Sequence, residues 1–352
     1  MSSIKKVSVI GAGAIGAMFG GLIKRHDPSI EVVLIARGEH LAAMQNRGHV
    51  QLRGDWDVAD VPVTASSDPA AVEGSDLILF TVKTQDTEET ARRFADHFGD
   101  SVVVSLQNGI NQRMLSQFVR EDRLLVGMTA TNMAIVEPGV IDCTRRGVSV
   151  IGAASDAVPA VMVERARRTL DSSGLPVESS DVILGVQYNK LLFNTMGYAS
   201  VLSATDFLRD GIFNRRWRTS VAMPILAEGF RVLEAAGIRL EKASGGSDVI
   251  RLKRLMGWLG VPGLDRFVRT IARGPIAPPR LVFSVYLDLV RGRSTEIDFV
   301  NGEIVRLARE AGVEAPYNAE VMRRVHEMEA AEKNHFLSRE EIARVFRSIG
   351  NR

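Results

Sequence analysis

The chain has 352 residues, with 44 Lys plus Arg against 42 Asp plus Glu and a formal net charge of +2. Its 45% hydrophobic and 24% charged residues match globular proteins, which excludes disorder as the main state, and the length predicts two domains. Near-balanced charge argues against a nucleic-acid partner, no stretch supplies the ~20 apolar residues of a membrane-spanning helix, and the single Cys143 excludes an intramolecular disulfide. The apolar run Val7 to Ile10 is too short for a signal peptide, so a cytoplasmic location is expected.

Val7-Ser8-Val9-Ile10 reads as a first strand ending at Gly11, Ala14 to Lys24 as a helix, and Glu31 to Ala36 as a second strand. His49 to Thr64 holds short strand-like pieces around Gly54, which read as an excursion added to the main sheet. Further strands are predicted at Leu77 to Val82, Val102 to Leu106 and Leu124 to Met128, with a helix over Thr87 to Phe98. This alternation predicts a doubly wound, Rossmann-like α/β domain over residues 1–181. After about Val182, helical spacing dominates: Gly185 to Ser200, Phe213 to Ala236, Arg280 to Arg291 and Glu296 to Ala311. Residues 182–335 are therefore expected to form an all-α domain carrying substrate and catalytic groups. Two short basic helices, Val249 to Leu259 and Leu264 to Ala272, are predicted inside it, and residues 336–352 read as a charged tail with a fraying terminal helix.

Gly11-Ala12-Gly13-Ala14-Ile15-Gly16 fits G-x-G-x-x-G directly after the first strand and at the start of a helix. In such a motif the first glycine makes the tight turn, the second admits a pyrophosphate, and the third lets helix and strand pack closely. Free N–H groups at the helix N-terminus complete the phosphate site. An acid usually follows about 20 residues later to read a bare ribose 2′-hydroxyl. Here Leu34-Ile35-Ala36-Arg37 ends the second strand, and a guanidinium suits a 2′-phosphate, which predicts NADP (NADPH) with Arg37 as its reader. The alternative is a solvated Arg37 with Glu39 at the ribose. Lys83 and Asn108 follow later strands at their carboxyl ends, where open α/β sheets bind ligands. Both are candidate cofactor contacts, and Asn108 can also donate to a substrate carboxylate. The six histidines are scattered and Cys143 has no second thiol, so no metal site is expected.

The glycine motif, Val82-Lys83-Thr84, Gln107-Asn108-Gly109, Tyr188-Asn189-Lys190-Leu191-Leu192-Phe193-Asn194 and Thr295-Glu296-Ile297-Asp298-Phe299-Val300-Asn301-Gly302 occur in an order that resembles the ketopantoate reductases. The resemblance covers about Lys5 to Met328 and implies NADPH-dependent reduction of 2-dehydropantoate to pantoate, a step of pantothenate and coenzyme A synthesis. It implies that Lys190 is the general acid, that Asn194 holds the substrate, that Asn108 serves near nicotinamide and substrate, and that Glu296 is an active-site carboxylate. Ser284 corresponds to the family's serine at the substrate carboxylate. On residues alone, Lys190 and Asn194 share one helix face, being four apart, and a lysine ammonium can protonate a developing alkoxide. Glu296 alone reads equally as a first-turn acid, with Ser294 or Thr295 as cap. Asp288 matches a family aspartate and is expected to pair with Arg291 or Arg293.

Three departures stand out. Tyr198-Ala199 replaces a family asparagine and its following proline, so Tyr198 is the expected substrate contact there, with a reshaped pocket. Phe283-Ser284-Val285-Tyr286-Leu287 differs from the family's usual residues. The basic stretch 242–279 is longer than a minimal member needs, and reads as an amphipathic packing face, with a lid or subunit contact as the alternative. The expected partner is a small 2-keto acid, with no nucleic acid or membrane, and a homodimer is allowed. A different 2-keto acid is the alternative substrate, and a silent NADP-binding regulator the non-enzyme alternative.

Overall fold

Residues 4–244, 248–259, 283–331 and 335–350 are described in the computed structural model. Their contacts divide the chain into one unit of Met1–Gln187 with Glu241–Gly246, and another of Tyr188–Leu240 with Ser247–Arg352.

In the first unit, β1 (Lys6–Ile10), β2 (Glu31–Ile35), β6 (Leu77–Phe80) and β7 (Val102–Ser105) are short apolar runs with almost every residue buried. Continuous burial is the signature of parallel strands covered on both faces. They lie in an eight-stranded sheet of order β12-β11-β8-β7-β6-β1-β2-β5, with β5 Thr64–Ser66, β8 Leu124–Thr129, β11 Ser149–Ala153 and β12 Val177–Ser179. All neighbours run parallel except β11 against β8. The predicted α/β architecture stands. Helices α1 (Ala14–His26), α2 (Gly38–Arg47), α3 (Thr87–Phe94), α4 (Gln112–Leu115) and α5 (Ala160–Asp171) accompany the strands.

The excursion at 49–64 differs from expectation. β3 (His49–Arg53) and β4 (Ala59–Pro62) belong to a separate four-stranded sheet of order β4-β3-β10-β9, completed by β9 (Asn132–Glu137) and β10 (Val140–Arg145). Only Thr64–Ser66 joins the main sheet, beside β2. The reason is the face that β3 buries: Val50 and Leu52 alternate with half-buried neighbours and pack on α1, where a Cβ at Gly21 would stand 3.0 Å from Leu52. Cys143, on β10, is buried in the same cluster.

The second unit is helical among the described residues. The boundary after Gln187 falls inside α6 (Ile183–Val201). The helix predicted over Phe213 to Ala236 is present: helical backbone runs without a gap from Arg215 to Ala235, wound as π over Arg218–Ala222. Asp206 caps a π-turn at Phe207–Ile212 through the amides of Leu208 and Arg209, Asn214 caps α7 (Arg215–Trp217), and a second π-stretch leads into α8 (Met223–Ala235) with its proline at the N-terminus. The side-chain oxygens of Asp206 and Asn214 thus mark where the two helical runs begin. The fully buried Arg218 donates to the carbonyls of Ile212 (2.9 Å) and Leu259 (2.8 Å), the latter beyond α9 (Val249–Trp258). The predicted helix at Leu264 to Ala272 and most of the 242–279 stretch lie outside the described residues.

α10 (Ser284–Val290), α11 (Ile297–Glu310), α12 (Pro316–Ala330) and α13 (Arg339–Gly350) follow. The terminal segment is anchored rather than frayed: α13 buries Ile342, Ala343 and Phe346, with Phe346 stacked on Tyr317. Buried Glu228 accepts hydrogen bonds from the backbone amides of Tyr317 and Asn318, each at 2.8 Å, and so caps α12. Tyr188 Oη donates to buried Glu303 at 2.6 Å, and Arg306 binds the same carboxylate through two nitrogens at 2.6 and 2.7 Å. Burial and the Glu303 charge push the Tyr188 phenol well above its ordinary range, so it stays a donor. Tyr188→Phe should lower unfolding free energy by ~1–3 kcal/mol, because Glu303 keeps its burial and loses a donor. Denaturant unfolding checks this, and a change below ~0.5 kcal/mol would show the bond to be dispensable.

Candidate active site

The three motif glycines do three separate jobs. Gly11 has φ +85°, and a Cβ there would stand 2.5 Å from the Val82 backbone nitrogen. At Gly16 a Cβ would meet Val9 at 2.5 Å and the Thr81 hydroxyl closer still. At Gly13 the nearest atom is the Gly11 carbonyl oxygen, 3.9 Å away. The outer glycines are therefore demanded by the fold, whereas the middle one leaves open space over the start of α1. Open space beside a helix N-terminus fits a pyrophosphate. The turn is held from both sides: Gly11 and Ala12 donate to the Ile35 carbonyl at 3.2 and 2.8 Å, and the Thr81 hydroxyl donates to the Gly11 carbonyl at 2.8 Å. Ala14 and Ile15 open α1 as expected.

Lys83 and Asn108 come together at the carboxyl ends of the adjacent strands β6 and β7. Lys83 is exposed and begins the turn Thr84–Asp86, and Asn108 is half-buried. The Thr84 hydroxyl and the Asn111 amide donate to the Asn108 carbonyl at 2.7 and 2.8 Å, which ties the two turns together. Below them Gln107 donates to the Val82 carbonyl and the Thr87 hydroxyl. Arg37 sits at the N-terminus of α2 with its side chain 88% exposed, and Glu39, two residues on, is exposed in the first turn. Arg37 Nη2 donates to Asp86 Oδ2 at 2.8 Å. Asp86, like Thr81, was not singled out in the sequence; a hydroxyl or acid in the turn after an apolar strand was the available signal.

In the second unit, the Tyr188 to Asn194 segment lies on α6 and splits by face. Tyr188 and Asn189 serve the scaffold: Tyr188 holds Glu303, and Asn189 Oδ1 accepts the Val249 amide at the start of α9 (3.3 Å). Lys190 and Asn194, both half-buried, lie one turn apart on another face. Burial around the Lys190 ammonium pushes its pKa down to about 8, and the nearby Glu296 carboxylate opposes part of that shift. The structure therefore brings Lys190 and Glu296, 106 positions apart in sequence, into one electrostatic neighbourhood. Glu296 is buried and precedes α11, where the Thr295 hydroxyl accepts the Ile297 amide (3.2 Å) and the Thr295 amide is held by Glu329 (2.7 Å). Thr295, not Glu296, makes that bond. Asn301 has a scaffold role, donating to Asn318 at 2.9 Å.

Tyr198 is buried, its ring edge-on to Phe283 with centroids 6.2 Å apart. Phe283 also packs on Gly197 and on Phe193 and Phe207, forming one aromatic cluster. Ser284 opens α10, and its side chain lies outside the described residues. Asp288 is buried, and its backbone carbonyl accepts the amides of Arg291 (3.1 Å) and Arg293 (2.9 Å). No helix of the described residues is long and apolar enough to cross a membrane.

A Rossmann-type unit with a glycine phosphate turn, followed by a helical unit with a half-buried lysine beside a carboxylate, defines a two-part oxidoreductase. The family model for ketopantoate reductase PanE/ApbA matches residues 7–156, and that for its C-terminal part matches 182–329; the chain belongs to this family. It is 28% identical to the 2-dehydropantoate 2-reductase of Pyrococcus horikoshii, over 89% of this chain and 94% of that protein. It is 27% identical to that of Archaeoglobus fulgidus, over 93% and 99% respectively. A crystal structure of a PanE/ApbA family ketopantoate reductase from Ralstonia eutropha superposes with a TM-score of 0.73 at 30% identity, covering 92% of this chain and 98% of that one. A ternary structure of D-mandelate dehydrogenase with NADH and anilino(oxo)acetate shares the fold, with a TM-score of 0.73 at 23% identity over the same shares.

Proposed function

We propose that this chain reduces 2-dehydropantoate to pantoate with NADPH, and that Lys190 is its general acid. The observation that supports this best is an ammonium held on α6 with its pKa lowered to about 8 beside the Glu296 carboxylate, one turn from Asn194. The glycine turn, Lys83 and Asn108 would hold the nucleotide, with Arg37 toward a 2′-phosphate. When bound, the nicotinamide supplies a hydride equivalent to the keto carbon. Lys190 donates a proton to the developing alkoxide and stabilises its charge beforehand. Glu296 keeps the ammonium charged against its burial and accepts from substrate hydroxyls. Asn194 and Ser284 hold the substrate's polar groups, with Asn108 serving both ligands. The reading includes a cytoplasmic enzyme that acts as a homodimer; the free, buried Cys143 agrees with a reducing compartment.

A second substrate reading rests on Tyr198, whose ring joins the Phe283 cluster where the family carries an asparagine. An apolar wall there suits a bulkier or less polar 2-keto acid. NADPH oxidation against a panel of 2-keto acids decides between the two, and no turnover with any of them would refute both. The proton donor also sets a pH profile. Lys190 must be protonated to act, so kcat/KM for reduction should be flat below about pH 8 and fall with unit slope as pH rises through about 8. A rate that rises over that range would contradict the assignment.

A further inference from the structure

Asp86 ends the turn after β6 and stands at the N-cap of α3, yet its side chain makes no capping bond there. Its Oδ2 accepts from Arg37 Nη2 at 2.8 Å, across 49 positions of sequence. A carboxylate thus already occupies one face of the guanidinium that the sequence offers to a 2′-phosphate. The end of β2, where dinucleotide-binding proteins of this kind usually carry an acid for the bare 2′-hydroxyl, holds Ala36 and Arg37. The tertiary structure therefore supplies from another turn the acid that the second strand lacks.

We infer that Asp86 sets the choice between NADPH and NADH: it repels a 2′-phosphate from Arg37 and offers a bare 2′-hydroxyl its acceptor. This rests on the proposed reading of the glycine turn as the nucleotide site and of Arg37 as its 2′-phosphate reader. Exposed ion pairs are weak, so a doubly charged phosphate can displace the carboxylate from the guanidinium. The displaced carboxylate stays close by, and its repulsion lowers the gain. Asp86 is then a brake on NADP preference. Because it caps nothing, its charge can be removed without loss of a helix cap.

The test is titration calorimetry of the full chain with adenosine 2′,5′-bisphosphate and with adenosine 5′-monophosphate, which differ at the 2′ position and need no turnover. In Asp86→Asn the affinity ratio should shift toward the bisphosphate by about tenfold, the size of a close exposed charge repulsion. The shift should shrink at high salt. Asp86→Glu, which keeps the carboxylate, should return the ratio toward wild type. The ratio of KM for NADPH and NADH should move the same way. A structural effect of the substitution would weaken both probes alike. An unchanged ratio in Asp86→Asn, or a Glu variant that behaves like Asn, overturns this inference alone. Wild-type protein that binds neither probe overturns the nucleotide-site reading and this inference with it.

Discussion

Lys190→Ala should lower kcat by ~10²-fold or more while nucleotide affinity stays near the wild-type value. The substitution removes both the proton source and the charge that meets the alkoxide, and it touches nothing in the glycine turn. It also removes a charged group whose burial is unfavourable, as the lowered pKa shows, which offsets the loss of a positive charge beside the buried Glu296. Lys190→Arg keeps a positive charge but should not restore turnover, because a guanidinium does not release its proton in this pH range. Steady-state kinetics with nucleotide titration on the same preparations separates the two effects. Turnover of Lys190→Ala within a few-fold of wild type would remove Lys190 from the mechanism.

The second large effect is expected inside the glycine turn, where two similar substitutions should fail differently. Gly13→Ala places its Cβ 3.9 Å from the nearest atom, so the melting temperature should stay close to wild type. That methyl group points into the space proposed for the pyrophosphate, and nucleotide affinity should fall by about tenfold or more, the cost of pushing a phosphate off its backbone donors. Gly16→Ala drives its Cβ against Val9 at 2.5 Å and against the Thr81 hydroxyl, so it should lose ~1–3 kcal/mol of stability through forced separation of α1 and β1. Thermal melts and nucleotide titration of both variants give a two-by-two comparison. A Gly13→Ala protein that binds nucleotide as well as wild type would move the phosphate site elsewhere.

Much of the candidate site was legible in the chain because its parts are local. A tight turn needs its glycine at Gly11 whatever surrounds it, and Lys190 and Asn194 share a face because a helix repeats every 3.6 residues. The glycine turn also announced its neighbours, since a strand must precede it and a helix must follow. The two roles hidden in the Tyr188 to Asn194 segment were not legible. Tyr188 serves the scaffold because Glu303 lies across from it, 115 positions later. Local spacing carries no record of which face a distant helix will cover.

The excursion at 49–64 shows the same limit from the side of structure. β3 was visible as a strand, yet its partner β10 begins about ninety residues later, so its sheet was not. Register with a remote strand depends on which apolar faces meet, and single-strand alternation leaves that open.

By itself the sequence determined the elements whose causes lie within a few residues: buried parallel strands from β-branched runs, a phosphate turn from three spaced glycines, and a lysine–asparagine face from helical repeat. Only the tertiary structure decided the pairings across long separations: Asp86 on Arg37, Glu296 beside Lys190, and the second sheet packed on α1. The physical reason is that charge and apolar contact act through space, and the chain brings such groups together only when its core forms.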